Sequence, residues 1–119
     1  MNCLGIDFGT TSVKAVLFDE NLNQIAENTE DYSLKTKGDI VELESEKYWD
    51  LLQNALSEIS KYASIESLAI DTQCETFILT DENGVPVRDA IVWLDNRATE
   101  EAKIIEEHFG RKKVYEITV

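Results

Sequence analysis

Residues 4–18 constrain the fold of this chain more than any other stretch, because two short apolar runs flank a polar four-residue segment. Residues 4–8 and 13–18 have the length and composition of strands, and residues 9–12 (Gly-Thr-Thr-Ser) have that of a tight turn. We expect a hairpin, and because Gly9 has no Cβ, its turn can take a positive φ and a phosphate can come close to its backbone. The amides and hydroxyls of the turn would form an anion-binding concavity.

Asp7 stands at the end of the first predicted strand, directly before this turn. A carboxylate there can hold Mg²⁺, directly or through water, because magnesium binds few carboxylates and keeps several waters. An ordinary hairpin with a polar turn is the alternative for a bare Gly-Thr-Thr sequence. The Gly-Ile-Asp-Phe that precedes the turn and the strand that follows it favour phosphate binding.

Size, charge and cysteine content narrow the class of protein. A chain of 119 residues is enough for one domain with a modest core. A net charge of −13 argues against binding to nucleic acid or to anionic membranes, which carry the same sign of charge. No apolar run approaches the ~20 residues of a membrane span, and the N-terminus has no secretory signal. With only Cys3 and Cys74, we expect free thiols and a cytoplasmic location.

The next part of the chain predicts a mixed α/β sheet. Residues 24–34 form a third extended segment, which gives three consecutive antiparallel strands, and residues 35–39 form a loop. Ser45 is the expected N-cap of a helix. Its apolar face is predicted at Trp49, Leu52, Leu56 and Ile59, widened by Tyr48, Leu51, Ala55 and Tyr62. Residues 65–72 then form a buried strand that can run parallel to the first strand.

Shorter elements are predicted in the last third of the chain. Residues 76–80 form a strand that ends at the turn sequence of residues 81–84, and residues 90–93 form a short apolar extension. Asp95 or Asn96 caps a second helix, which Gly110 ends with basic residues close by. The inner stripe of this helix is predicted at Ala98, Ala102, Ile105 and Phe109. Residues 114–119 carry no signal that closes a domain.

Three segments resemble known motifs. Residues 5–12 are similar to the first phosphate motif of the actin-like ATPase superfamily, which includes sugar kinases, actins and heat-shock-class chaperones. Residues 91–97 (Ile-Val-Trp-Leu-Asp-Asn-Arg) resemble the Trp-x-Asp-x-Arg segment of the FGGY carbohydrate kinases. Residues 72–76 (Thr-Gln-Cys-Glu-Thr) resemble the Asn-Gln-Arg-Glu-Thr of glycerol kinases, with Cys74 in place of arginine, and match the Gln-Met-His of xylulokinases at Gln73 alone.

The resemblance extends over the whole chain and implies a ribonuclease H-like (actin-like ATPase) fold, with a mixed sheet of three antiparallel strands followed by α-β units. It implies that residues 1–119 are the N-terminal part of the first kinase domain, which is therefore incomplete, and that the second domain is absent. The cofactors implied are ATP and Mg²⁺. The implied partner is a small sugar or polyol (xylulose-, glycerol- or gluconate-like), and the three motifs do not distinguish among these.

The same resemblance assigns the candidate site residues. Asp7 would hold the metal, and the nucleotide would be bound by Gly9, Thr10, Thr11, Ser12 and Lys14. The acceptor would be bound by Gln73, Cys74, Glu75, Trp93, Asp95 and Arg97. The catalytic base of the family lies far downstream in a Gly-rich segment, so none is expected here and the chain alone should not transfer phosphate.

These residue types suit a polyol, although each has a structural alternative. The Glu75 carboxylate can accept hydrogen bonds from two neighbouring hydroxyls, and Trp93 offers a flat apolar wall with one N–H donor. The structural alternative for Trp93 is a core residue. Asp95 is equally a helix cap, and Arg97 is equally its ion-pair partner or a brace between loops. Cys74 has no basic neighbour to activate it and is expected to line a pocket.

Two other functions remain open from the sequence. One is a non-enzymatic actin-like module, in which nucleotide binding drives a switch or an assembly. The other is a stand-alone interaction domain with an inactive site. For the isolated chain we also expect a homodimer, which either covers apolar residues of the first two strands on the sheet face away from the first helix or pairs an edge strand.

Overall fold

The computed structural model describes residues 1–118. The strands, in chain order, are β1 (Cys3–Phe8), β2 (Ser12–Phe18), β3 (Gln24–Asp31), β4 (Lys35–Lys37), β5 (Ile40–Leu43), β6 (Ser67–Thr72) and β7 (Ala90–Ile91). The helices are α1 (Ser45–Ile59), α2 (Thr99–Phe109) and α3 (Arg111–Thr118). Within this part of the chain, no helix is both long and apolar enough to cross a membrane.

The main sheet has the strand order β3-β2-β1-β6. Strands β1, β2 and β3 pair in antiparallel fashion, as predicted from their short connections. Strand β6 follows α1 and pairs with β1 in parallel, so that Leu68 lies beside Leu4 and Ile70 beside Ile6. The predicted mixed α/β sheet is therefore confirmed, and the turn between β1 and β2 lies at the edge where β1 and β6 both end.

The core lies between α1 and one face of this sheet. Alternate residues of β1 and β2 point to the helix and are buried, because successive side chains of a strand face opposite sides: Leu4, Ile6, Val13, Ala15 and Leu17. In α1 the fully buried residues are spaced by four: Leu51, Ala55 and Ile59. Full burial of each large aliphatic side chain contributes roughly 1.5–3 kcal/mol.

The predicted apolar face of α1 is rotated relative to the observed one. Trp49 is 57% exposed and Tyr62 is 66% exposed, whereas Leu51 and Ala55 form the centre of the buried stripe. Apolar residues lie on more than one side of α1, so their spacing in the sequence is compatible with two different buried faces. Contact with β2 and β3 decides which face is buried. The N-cap was also wrong: Glu44 precedes the helix, and the Ser45 hydroxyl instead donates to the carbonyl of Arg88 at 3.0 Å.

A second, smaller sheet has the order β4-β5-β7. Its first two strands form a hairpin within residues 35–43, where a loop was predicted at 35–39. Gly38 supplies the turn with a φ of 61°, and Val41 and Leu43 alternate into the core. The sequence did not predict this hairpin, because β4 consists of polar and charged residues and β5 is only four residues long.

Residues 76–80 do not form the predicted strand. They make only two isolated bridges, Phe77 with Ile91 and Thr80 with Pro86. The turn at residues 81–84 is present, and Gly84 takes a φ of 80°. In the described part of the chain, the segment has no neighbouring strand along its length and pairs only at those two points, so a continuous strand does not form. Phe77 and Leu79 remain half-exposed.

Strand β6 is exposed along its whole length, although it was predicted to be buried. Leu68 is 53% exposed and Ile70 is 51% exposed. The cause is the position of β6 at the sheet edge, since α1 packs on β2 and β3 at the other side. Parallel strands are normally covered on both faces, so this strand presents unusual apolar surface.

The last two helices lie outside the core. The residue before α2 is Ala98, so neither Asp95 nor Asn96 is its N-cap, and no residue of α2 is buried. Gly110 ends this helix as predicted, with a φ of 79°. Residues 111–118 form α3, so the basic residues begin a new helix. Of residues 114–119, which carry no sequence signal that closes a domain, Val119 lies outside the described residues.

Candidate functional site

The turn between β1 and β2 is closed by its own backbone and by Tyr32. The Gly9 amide donates to the carbonyl of Ser12 at 3.0 Å, and the Gly9 carbonyl accepts a hydrogen bond from the Tyr32 hydroxyl. The Tyr32 amide also donates to the carbonyl of Thr11, at 2.9 Å. Burial raises the pKa of Tyr32, so this hydroxyl keeps its proton. Tyr32, the residue directly after β3, therefore fixes the shape of the turn.

Gly9 is required for close approach and not for a positive φ. The absence of a Cβ allows a positive φ here, but Gly9 does not adopt one: among residues 1–118, the glycines with positive φ are Gly38, Gly84 and Gly110. A Cβ on Gly9 would lie 3.3 Å from the Ser12 carbonyl oxygen, which is tighter than an ordinary contact. A side chain there would require the Ser12 carbonyl to move by a few tenths of an ångström.

The turn offers free hydrogen-bond donors at Thr10 and Thr11. Within residues 1–118, neither of their amides has a protein acceptor. Thr11 is exposed and Thr10 is partly exposed, so an anion can reach both. The Gly9 amide, in contrast, is already bonded to Ser12. This donor set fits a phosphate group, which binds to adjacent backbone amides in turns.

Asp7 and Lys14 lie on the sheet face opposite α1. Asp7 is exposed, stands beside Lys14 on β2 and Asp71 on β6, and borders an open depression of about 340 Å³. Its carboxylate has no hydrogen-bond partner in the part of the chain that the structure describes, which leaves it free for a hydrated cation. The Lys14 ammonium pairs with Glu27 at 3.0 Å.

Gln73 connects the segment after β6 to the turn. Its amide donates to the carbonyl of Phe8 at 2.8 Å, and its side-chain Nε2 donates to the Tyr48 hydroxyl at 2.9 Å and the Tyr32 hydroxyl at 3.4 Å. Because Tyr32 in turn holds Gly9, one hydrogen-bond network joins Gln73 to the phosphate turn. The Gln73 Oε1 atom is buried without a partner among the described residues.

Glu75 is held in a strained backbone conformation. Its φ is 64°, in the left-handed region that costs an L-amino acid roughly 1–2 kcal/mol. Both Glu75 and its neighbour Cys74 are exposed, and Cys74 is a free thiol. Strained backbone of this kind clusters at functional sites, although Leu22, in the turn after β2, has a similar φ of 62°.

Trp93 lies directly above the turn. Its backbone amide donates to the Thr76 hydroxyl at 3.2 Å, and its indole Nε1 donates to the Thr10 hydroxyl oxygen at 3.0 Å. The side chain is 48% exposed, so it is not the core residue of the alternative interpretation. An open depression of about 430 Å³ is lined by residues of both the predicted nucleotide site and the predicted acceptor site: Thr10, Gln73, Cys74, Glu75 and Trp93.

Asp95 and Arg97 stand outside this depression and bind each other. The Asp95 carboxylate accepts two bonds of 2.7 Å from the Arg97 guanidinium and one of 2.6 Å from the Val41 amide. Arg97 also donates to Glu42 at 2.8 Å. Hydrogen bonds from Arg97 hold the pKa of Asp95 well below its usual range, and the same bonds raise the pKa of Arg97. This geometry is that of a brace between the 93–97 segment and β5.

Sequence reasoning missed three residues that shape the site. Tyr32 and Tyr48 were assigned to apolar positions of a strand and a helix, and Glu42 was not assigned at all. The rings of Tyr32 and Tyr48 do pack as apolar groups, and they meet edge to face with centroids 5.9 Å apart. Their hydroxyls gave the only hint, because a buried tyrosine hydroxyl needs a partner.

Known proteins resemble this chain along nearly its whole length. The xylulose kinase of Lactococcus lactis is 31% identical over 121 residues, which cover 97% of this chain and 24% of the kinase. The gluconokinase of Bacillus subtilis is 33% identical over 119 residues, with coverage of 97% and 23%. The crystal structure of Plasmodium falciparum glycerol kinase with ADP superimposes with a TM-score of 0.81 at 32% identity, covering 89% of this chain and 23% of that one.

The chain thus spans about a quarter of the length of the relatives it matches. The structural similarity confirms the actin-like ATPase fold implied by residues 5–12. The family model for the N-terminal domain matches residues 2–119. This chain therefore belongs to the FGGY family of carbohydrate kinases, within its N-terminal domain.

Proposed function

We propose that residues 1–119 are the N-terminal part of the first domain of an ATP- and Mg²⁺-dependent kinase that phosphorylates a hydroxyl of a small sugar, polyol or aldonate. The observation that carries this proposal is the hydrogen bond from Trp93 to Thr10. It sets an aromatic wall suited to an acceptor directly beside a turn suited to phosphate. A kinase needs those two binding surfaces within reach of each other.

The donor side would be held by the turn. Thr10 and Thr11 present free amides to the phosphates, and Gly9 allows the backbone to come close. Asp7 would hold Mg²⁺ through its free carboxylate, with water completing the shell. When bound, ATP supplies the phosphoryl group and Mg²⁺ neutralises the charge that develops on it.

The acceptor side would be formed by Glu75 and Trp93. The Glu75 carboxylate would accept hydrogen bonds from neighbouring hydroxyls, and charged acceptors make the stronger bonds. Trp93 would bind the carbon face of the ligand. Xylulose, gluconate and glycerol, the substrates named for the relatives, share adjacent hydroxyls on a short carbon chain, which is the chemistry that this pair recognises.

The group that accepts the proton from the attacking hydroxyl would come from outside these residues. Phosphoryl transfer needs such a group in line with the γ-phosphate. Glu75 is engaged with the acceptor in this scheme, and Asp95 is fully occupied by Arg97 and Val41. We therefore expect residues 1–119 alone to bind ligands weakly and to transfer no phosphate.

A coupled assay of ADP release on the complete protein tests the proposal. We expect turnover to depend on one class among glycerol, xylulose and gluconate, with Mg²⁺ required. Glu75→Gln should raise the KM for that acceptor, whereas Trp49→Phe, on the outer face of α1, should change nothing. ADP release that no polyol, ketose or aldonate accelerates would refute the kinase and favour the nucleotide-driven switch.

A further inference from the structure

We infer that Trp93 is a positioning residue for phosphate binding, through its hydrogen bond to Thr10. The indole N–H would fix the Thr10 hydroxyl so that its own proton is presented to a bound phosphate. Trp93 would then act on the nucleotide side as well as forming the acceptor wall. This inference rests on the proposed function, because it assumes that a phosphate binds at the turn.

The direction of this hydrogen bond follows from the atoms involved. An indole N–H can only donate, so the Thr10 oxygen must be the acceptor across the 3.0 Å between them. A hydroxyl carries one proton besides its lone pairs. Within residues 1–118 the Thr10 hydroxyl has no acceptor for that proton. The proton is left for a ligand in the depression that Thr10 and Trp93 both line.

Trp93 can position Thr10 because its own backbone is fixed. Val92, the preceding residue, is 1% exposed and donates from its amide to the carbonyl of Val41 at 3.1 Å. The Val92 carbonyl accepts a hydrogen bond of 2.8 Å from the Asp95 amide, and the ion pair between Asp95 and Arg97 restrains the residues that follow Trp93. Little backbone freedom therefore remains to be lost at Trp93 when the indole holds the hydroxyl.

Thr10 is held from the opposite side by Tyr32. The bonds from Tyr32 to Gly9 and Thr11 grip the residues on both sides of Thr10. The threonine side chain, however, has no protein partner except Trp93 in the described chain. The hydroxyl would therefore rotate among its positions if the indole N–H were removed, although the backbone of the turn stayed in place.

The size of the effect follows from what one hydrogen bond contributes. A hydroxyl that accepts a hydrogen bond becomes a better donor, and a single bond of this kind is worth a small net stabilisation. The depression is open, so water competes with the ligand. Loss of the indole N–H should therefore weaken phosphate binding by roughly twofold to tenfold.

Binding of ADP with Mg²⁺ to the complete protein, measured by calorimetry, tests this inference in a double-mutant cycle. Trp93→Phe keeps an aromatic wall and removes the N–H. Thr10→Val keeps the shape of threonine and removes the hydroxyl, whereas Thr10→Ser keeps the hydroxyl. We expect Trp93→Phe to weaken ADP binding in the wild-type and Thr10→Ser backgrounds and to have no effect in the Thr10→Val background.

A spectroscopic measurement separates positioning from a general change in packing. The indole ¹H–¹⁵N resonance of Trp93, identified by its loss in Trp93→Phe, should shift when ADP is added and should not shift in Thr10→Val. The Trp49 indole, 57% exposed on α1, is the internal control. An equal loss of affinity on Trp93→Phe in all three Thr10 backgrounds, or an unmoved Trp93 resonance, would overturn the inference and leave the kinase proposal intact. A wild-type protein that binds no ADP would overturn both.

Discussion

The hydroxyl of Tyr32 donates a hydrogen bond to the backbone carbonyl of Gly9, so the residue directly after β3 fixes the turn between β1 and β2. Gln73 reaches the same tyrosine hydroxyl from the segment after β6. The turn that we propose for phosphate is thus joined through hydrogen bonds to two other segments, at Tyr32 after β3 and at Gln73 after β6.

Tyr32→Phe should lower the free energy of unfolding by about 1–2 kcal/mol, because the Gly9 carbonyl loses its donor. The ring remains, so the packing against Tyr48 is kept. Urea unfolding measures the change. Tyr62→Phe is the matched control, since Tyr62 is 66% exposed and its hydroxyl makes no hydrogen bond in residues 1–118. Equal stability of the two variants would show that the Tyr32 hydroxyl contributes nothing.

Asp95→Asn should remove part of the pH dependence of stability in the acid range. Hydrogen bonds from Arg97 depress the pKa of Asp95 in the folded state below its value of ~3.9 in the unfolded chain. The ionised carboxylate therefore stabilises the fold above about pH 4, and this contribution is lost as the pH falls toward the folded pKa. Urea midpoints between pH 7 and pH 2.5 should fall less steeply in Asp95→Asn than in wild type.

Asp39→Asn serves as the control for that experiment. Asp39 lies two residues before Val41 and is exposed, and its carboxylate has no hydrogen-bond partner in the described chain. Its substitution should leave the acid slope unchanged. Parallel pH profiles for wild type and Asp95→Asn would mean that the pair with Arg97 does not stabilise the fold.

Asp7→Asn should lower the turnover of the complete protein far more than its stability. The Asp7 side chain is exposed and outside the core, so unfolding should change little. Loss of a metal ligand commonly raises the barrier by several kcal/mol, which is a factor of about 10² or more in kcat. Asp50→Asn, exposed on the outer face of α1, is the control. A purified Asp7→Asn protein with full activity would remove Asp7 from metal binding.

Glu75→Gly and Glu75→Ala should separate the strain at this position from the role of the carboxylate. Both variants lose the carboxylate and should show a raised KM for the acceptor. Only glycine adopts the φ of 64° without strain, so Glu75→Gly should be more stable than Glu75→Ala by about 1 kcal/mol. Thermal unfolding compares the two, and equal melting temperatures would show that the backbone relaxes freely at residue 75.

The isolated 1–119 chain should self-associate, most simply as a dimer. The expected apolar surface was on the sheet face away from α1, where Val16 and Phe18 are indeed only partly buried. Leu68 and Ile70 on the α1 side of the β6 edge add surface that was not foreseen. An unpaired edge beside exposed apolar side chains favours pairing with a second chain.

Light scattering at high micromolar concentration measures this self-association. Ile70→Lys places a charge on the edge strand and should shift the chain toward monomer. Val87→Lys, at a residue that is 62% exposed and lies outside the strands of both sheets, should not. A wild-type chain that stays monomeric and binds no hydrophobic dye would count against the prediction.

The sequence by itself determined the elements whose signals are local. Alternating apolar residues around Gly-Thr-Thr-Ser predicted β1, β2 and their turn, and the apolar stretch 65–72 predicted the strand that pairs with β1. Gly110 ended α2 as expected, because glycine adopts a φ of 79° without strain and therefore without support from distant residues. The motifs around Gln73 and Trp93 identified the family for the same reason, since each is a short continuous run.

Only the tertiary structure decided how those elements meet. The sequence could not select Leu51 over Trp49 as the inward face of α1, because the sheet beneath the helix makes that choice. It could not show that Asp95 is bound by Arg97 and Val41, or that Trp93 donates to Thr10, since these partners lie up to 83 residues apart. Hydrogen bonds between distant segments depend on how the chain packs, and no local pattern of residue types records that packing.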